Sequence, residues 1–261
     1  MTTQKDVVTS WPGATDVWHG FTRHLLTVEG RPAWVVEPNC AMAGKPWSWC
    51  MEFPDAFTER CAALQLLNAG FHHLYFERFN NFGSPAALKQ FNVFYGTVIA
   101  RKLSRKGVLI GVSRGGLSAY RWASENPRKV AVIYGDAPVC DFKSWPAGKG
   151  KSPGSREDWE CCMREYGFRD EAEALAYRGN PIDTLQPLAR AGVALIHVVG
   201  DADDVVSVAE NTEILECRYK ALGGKIRVIH KPGVGHHPHG LEDPAAVVEF
   251  IVRNWKQLAE D

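Results

Sequence analysis

Short apolar runs alternate with amphipathic stretches along most of this chain. The runs are Ala33–Val36, Leu74–Phe76, Val108–Val112, Val130–Tyr134, Val193–Val199 and Ile226–Ile229. Several are apolar at successive positions, the pattern of strands covered on both faces of a parallel sheet. Between them the spacing predicts helices over Phe57–Asn68, Pro85–Leu103, Gly115–Glu125, Ala209–Leu222 and Pro244–Leu258. Pro85 and Pro244 suit a first helical turn, where a missing N–H costs little. Strands alternating with helices imply an α/β fold. From Asp136 to about Pro187 the rhythm breaks. Prolines and glycines accumulate there, with Trp145, Trp159 and two expected helices near Ser155–Tyr166 and Asp170–Tyr177. Residues 136–187 read as a small cap, an insertion within one domain of residues 1–261, because such connections cover ligand sites at the carboxyl ends of strands.

The chemistry concentrates at three turns. Gly111-Val112-Ser113-Arg114-Gly115-Gly116 lies between an expected strand and an expected helix. A serine on so sharp a strand-to-helix turn projects its hydroxyl from the sheet, and the residues two before and two after approach closely enough to require glycine. Ser113 is therefore the candidate nucleophile. The N–H of Arg114, at the head of the helix, is a candidate donor to a developing oxyanion.

A serine hydroxyl needs a base, and that base needs an acid to hold its tautomer. Gly200-Asp201-Ala202-Asp203-Asp204-Val205-Val206 follows the run ending at Val199. Asp203 has the G-x-x-D-x-x-V offset, whereas Asp201 and Asp204 suit turn formation. Asp136 is an alternative acid. Lys231-Pro232-Gly233-Val234-Gly235-His236-His237-Pro238-His239 follows the last run. His236 leaves the glycine-rich turn directly and is the candidate base, with His237 and His239 as competitors. H-H-x-H on a loop also suits zinc or copper. No acidic or cysteine ligand stands beside it in sequence, and no H-E-x-x-H helix occurs, so no metal is expected. His72 and His73 are expected to be structural.

The stretches GVSRGG, VVGDADDVVSVAENT and KPGVGHHPHGLEDP resemble the α/β-hydrolase superfamily, from about Arg31 to the end, in its order of Ser, Asp and His. They are most similar to its esterase branch, near dienelactone-hydrolase and prolyl-oligopeptidase-like members. YGDAPVCDFKSWP and GKPWSWCMEF are similar to a sparsely characterised bacterial group, many of whose members accompany polysaccharide breakdown. The resemblance implies a mostly parallel central sheet flanked by helices. It also implies cleavage of a carboxylic ester, such as an acyl group on a sugar, through an acyl-enzyme. Cys50 and Ser207 depart from the pattern, which has arginine and proline there. The fold takes a second oxyanion donor from the loop near Glu52-Phe53-Pro54-Asp55. Pro54 has no N–H, which leaves Phe53. Trp47, Trp49 and Trp145 are candidate substrate contacts, offering flat rings to a sugar or aromatic acyl group. Arg114, Arg78 and Lys143 are candidates for an acidic substrate. Thioester hydrolysis, peptide hydrolysis or acyl transfer would use the same triad, and a non-catalytic binding protein is the remaining class.

Composition narrows the partners. The 30 basic and 30 acidic residues of this 261-residue chain cancel, and no block of like charge appears. Neither nucleic acid nor a membrane is expected as a partner. No run approaches the roughly 18 apolar residues of a membrane span. Met1 to Asp16 lacks a basic segment followed by an apolar run, so the sequence as written implies a cytoplasmic protein; a removed leader would imply the periplasm or secretion. The seven cysteines show no paired C-x-x-C spacing and are expected as free thiols, with a Cys40–Cys61 or Cys50–Cys61 disulfide as the alternative. No motif requires a cofactor.

Overall fold

The computed structural model describes residues 11–259. Most of the Met1 to Asp16 stretch read for a leader, residues 1–10, lies outside them. Nine strands form one sheet: β1 (Thr15–Trp18), β2 (Phe21–Val28), β3 (Arg31–Val36), β4 (Trp47–Cys50), β5 (His72–Phe76), β6 (Gly107–Val112), β7 (Val130–Asp136), β8 (Ala194–Gly200) and β9 (Ile226–Lys231). Their order across the sheet is β1-β2-β3-β5-β4-β6-β7-β8-β9. β4 to β9 run parallel, while β1, β2 and β3 add an antiparallel ribbon against β5.

Both faces are covered, which explains the unbroken apolar runs. On one face Leu109, Ile133 and Leu195 pack against α2 (Pro85–Ala100), α3 (Gly115–Glu125) and α7 (Thr212–Ala221). On the other Val108, Ile110, Ile196 and Val198 pack against α1 (Ala63–Asn68) and α8 (Ala245–Ala259). Adjacent residues of one strand thus enter opposite cores, as the two-residue period of a strand demands.

The helix expected from Phe57 forms only from Ala63. Phe57 and Ala62 adopt left-handed φ values of 54° and 65°, which a continuous right-handed helix excludes. α2 begins as expected, with Ser84 capping the Ala87 amide and Pro85 in the first turn. Pro244 directly precedes α8.

Between β7 and β8 lie α4 (Arg156–Tyr166), α5 (Glu171–Ala176) and α6 (Gln186–Arg190). Ser155 and Asp170 cap the first two. Phe142, Trp145, Trp159, Cys162 and Ala174 form a small core of their own. It rests on Phe82 and on Leu117, which stands four residues after Ser113. No helix among the described residues is long and apolar enough to cross a membrane.

Candidate active site

The elbow is held from two sides. Ser113 sits at φ 50° between β6 and α3, a left-handed conformation that costs a non-glycine residue about 1–2 kcal/mol. Backbone hydrogen bonds from β7, the turn after it and α3 compensate: the Ser113 amide donates to the Asp136 carbonyl (2.8 Å), and the Ser113 carbonyl accepts from Val139 (2.9 Å) and Gly116 (3.0 Å). The glycines are sterically required. A methyl group on Gly111 would come within 2.9 Å of the Gly116 Cα, and one on Gly116 within 2.7 Å of Pro138 and of the Val139 carbonyl.

The loop after β9 brings His236 to this hydroxyl. Asp203 accepts from His236 Nδ1 at 2.8 Å. That leaves the Nε2 lone pair to accept from Ser113 Oγ, 3.0 Å away. The other carboxylate oxygen of Asp203 accepts from the amides of Val205 (3.0 Å) and Val206 (2.8 Å), which gives the G-x-x-D-x-x-V offset a physical content. Burial alone would raise the Asp203 carboxyl. The hydrogen bonds from His236, Val206 and Val205 outweigh it and hold the group below its ordinary value.

Asp136 does not reach His236. Its carboxylate is fully buried and accepts from His239 Nδ1 (2.7 Å), the Gly240 amide (2.9 Å) and the Tyr134 hydroxyl (2.6 Å). Burial pushes this carboxyl up, but the three donors bring it below its ordinary value. The pair ties the His236 loop to β7. Arg60 adds to the tie by donating to the His239 carbonyl, as does Lys231 to those of Pro238 and Gly240. Asp201 instead meets the exposed His230 at 2.6 Å. His237 is exposed and stacks on Phe57, with its pKa lowered by burial and by the neighbouring histidines. His72 and His73 are buried; burial pushes His73 down to about 3, and its Nδ1 meets Ser48 at 2.8 Å.

The amides of Arg114 and Phe53 donate to no described backbone carbonyl. Phe53 has a left-handed φ of 57°. Their neighbourhood is fixed by an ion pair that sequence reasoning missed. Glu52, 1% exposed, accepts from Arg114 Nε at 3.0 Å and from the Asn80 amide at 3.1 Å. Arg114 also donates to Asp158 of α4 (2.9 Å) and lies over the rings of Phe53 and Phe79. The guanidinium is thus neutralised twice, and desolvation raises the pKa of Glu52 despite Arg114. Arg78 is likewise paired, with Glu165 at 2.6 Å, and Lys143 stands 3.8 Å from Asp141.

All three aromatic candidates for substrate contact are buried, which corrects that expectation. Trp47 and Trp49, 0% and 1% exposed, lie in β4 inside the core. Trp47 donates to the Ser104 carbonyl, and Trp49 sits edge-on to Phe91, Phe94 and Trp122. Rings enclosed there have no face to offer a sugar. Trp145 packs in the small core between β7 and β8. All seven cysteines are free, without the alternative disulfide; the buried Cys50 thiol donates to the Glu52 carbonyl and is pushed up to about 12 by burial.

A mostly parallel sheet covered on both faces, with the elbow after β6 and a histidine loop after the last strand, is the α/β-hydrolase fold. Solved structures bear this out. A puromycin-hydrolyzing peptidase from Mycobacterium tuberculosis superimposes with a TM-score of 0.69 at 12% identity, over 94% of this chain and 40% of the peptidase. An esterase/lipase from an uncultured bacterium gives 0.62 at 18% identity, over 96% of this chain and 88% of the other. EstE5, in crystals soaked with p-nitrophenyl butyrate, gives 0.61 at 17%, with the same coverage of 96% and 88%. The chain thus spans well under half of the peptidase. At 18% identity and below, these likenesses concern the fold. No protein-family model and no curated protein matches the chain.

Proposed function

We propose that this protein is a serine hydrolase that cleaves carboxylic esters. One observation carries the reading: an unbroken hydrogen-bond relay from Ser113 Oγ to His236 Nε2 and from His236 Nδ1 to Asp203, seated on a glycine-flanked elbow. His236 takes the proton as Ser113 attacks the ester carbonyl. The alcohol leaves with that proton and an acyl-Ser113 remains. Water, deprotonated by His236, then releases the acid. Asp203 holds the Nδ1–H tautomer and stabilises the imidazolium without taking its proton. The amides of Arg114 and Phe53 would receive the oxyanion; removing one such donor costs about 10²–10³ in kcat where it has been measured.

The substrate class rests on less. An acyl ester on a carbohydrate is the reading that the sequence resemblance favours. A peptidase reading draws on the Mycobacterium structure, yet most of that peptidase has no counterpart in this chain. The test has two stages. A fluorophosphonate probe should label wild-type protein but not Ser113→Ala. A panel of acetylated sugars, short aryl esters, acyl-CoA and peptides then assigns the class, and turnover of peptides alone would overturn the ester reading.

A further inference from the structure

His236, His237 and His239 surround a common point. Their ring centres stand 5.0, 4.8 and 4.7 Å apart, and one ring nitrogen from each lies within 4.8 Å of the other two. Three imidazoles on a tetrahedral ion, at the usual Zn–N distance of about 2.0–2.1 Å, hold their ring centres roughly 5 Å apart. The rings therefore already have the spacing of a three-histidine site. What remains is to draw the nitrogens together to roughly 3.3 Å. His237 is exposed and can supply that adjustment.

The other two histidines are braced as metal ligands usually are. Each gives its Nδ1–H to a buried carboxylate, His236 to Asp203 and His239 to Asp136, which fixes the tautomer and directs the Nε2 lone pair outward. Those two carboxylates supply negative charge behind neutral ligands. The two cations bonded to this loop are turned onto backbone carbonyls, Lys231 onto those of Pro238 and Gly240 and Arg60 onto that of His239. Nothing in the proposed reaction uses His237 or His239.

We propose that His236, His237 and His239 form a binding site for a divalent cation of borderline softness, with Zn²⁺ the best match, and that its occupation silences the enzyme. Imidazole donors select zinc or copper over magnesium. The inhibition follows because the coordinate bond uses the same Nε2 lone pair that would accept the Ser113 proton. With that lone pair on the metal, Ser113 has no base. Only this inhibitory consequence rests on the proposed hydrolase reaction; metal binding itself does not.

Calorimetric titration of ZnCl₂ into wild type, Ser113→Ala and His237→Gln tests the site. One ion should bind per chain in the first two, and His237→Gln should weaken it at least about tenfold. Co²⁺ in place of Zn²⁺ should show visible bands without thiolate charge transfer, which separates the histidines from the seven cysteines. Wild-type hydrolysis of p-nitrophenyl acetate should fall as zinc binds, return on adding EDTA and ignore magnesium. Absence of binding at millimolar zinc, unchanged affinity in His237→Gln, or thiolate bands would overturn the site. A chain that binds zinc through His237 yet hydrolyses esters unimpeded would overturn the inhibition. If no ester is ever hydrolysed, the calorimetry and cobalt spectra still decide the site.

Discussion

Removing the Asp136 carboxylate separates structure from chemistry around His236. Asp136→Ala strands three donors, the His239 Nδ1–H, the Gly240 amide and the Tyr134 hydroxyl, where the carboxylate is 0% exposed. Each unpaired buried donor costs about 1–3 kcal/mol. Water entering the vacated space offsets part of the sum, so about 3–5 kcal/mol is expected. At about 2–4 °C per kcal/mol for a domain near this size, the melting temperature should fall by roughly 6–20 °C. Asp203→Asn should show the opposite balance: a modest thermal shift, with kcat reduced by about 10⁴ as the imidazole loses its tautomer control. Scanning calorimetry and p-nitrophenyl acetate kinetics on both variants give the comparison. The pH dependence has a definite sign. Asp136 has a folded pKa below its ordinary 3.8, so its contribution is present above that value and is lost as pH falls through the lower, folded one. The gap in melting temperature between wild type and Asp136→Ala should therefore be full at pH 7 and close below about pH 4. A folded Asp136 variant with wild-type melting but a larger kcat loss than Asp203→Asn would refute this assignment of the two acids.

Three other outcomes follow from particular residues. Ser113→Ala should reduce turnover by several orders of magnitude at unchanged melting temperature, measured against the uncatalysed rate. Trp49→Ala should cost about 3–5 kcal/mol in urea unfolding, because its wholly buried ring is enclosed by Phe91, Phe94 and Trp122, while KM stays within error; a KM change without destabilisation would return Trp49 to the substrate. Gly116→Ala should destabilise by about 1–3 kcal/mol and lower kcat, since its methyl group meets the backbone that clasps the Ser113 carbonyl.

Sequence pattern was most informative where local sterics or periodicity dominate. The elbow reads from Gly111, Ser113 and Gly115 because the turn itself excludes side chains. Strands buried on both faces, such as β6 and β8, read from uninterrupted apolar runs. The runs missed β1 and β2, whose alternating exposure leaves no continuous apolar signal. They also missed β4, where Trp47-Ser48-Trp49-Cys50, read for substrate contacts, is wholly buried in the sheet. The least legible features join distant positions. Asp136 meets His239 across 103 residues, and Arg114 meets Glu52 across 62. No local spacing encodes such a pair; it exists only once the strands set the carboxyl edge of the sheet.

Arg114 extends from the residue after Ser113 and grips both Glu52 and Asp158 of α4. The elbow and the segment beside it therefore share a mechanical link. Lifting α4 breaks a charge contact anchored one residue from the Ser113 hydroxyl. On the proposed hydrolase reading, substrate breadth and precision of chemistry trade against each other at that single side chain. Any reshaping of the segment between β7 and β8 through evolution or engineering has to accommodate position 114 at the same time.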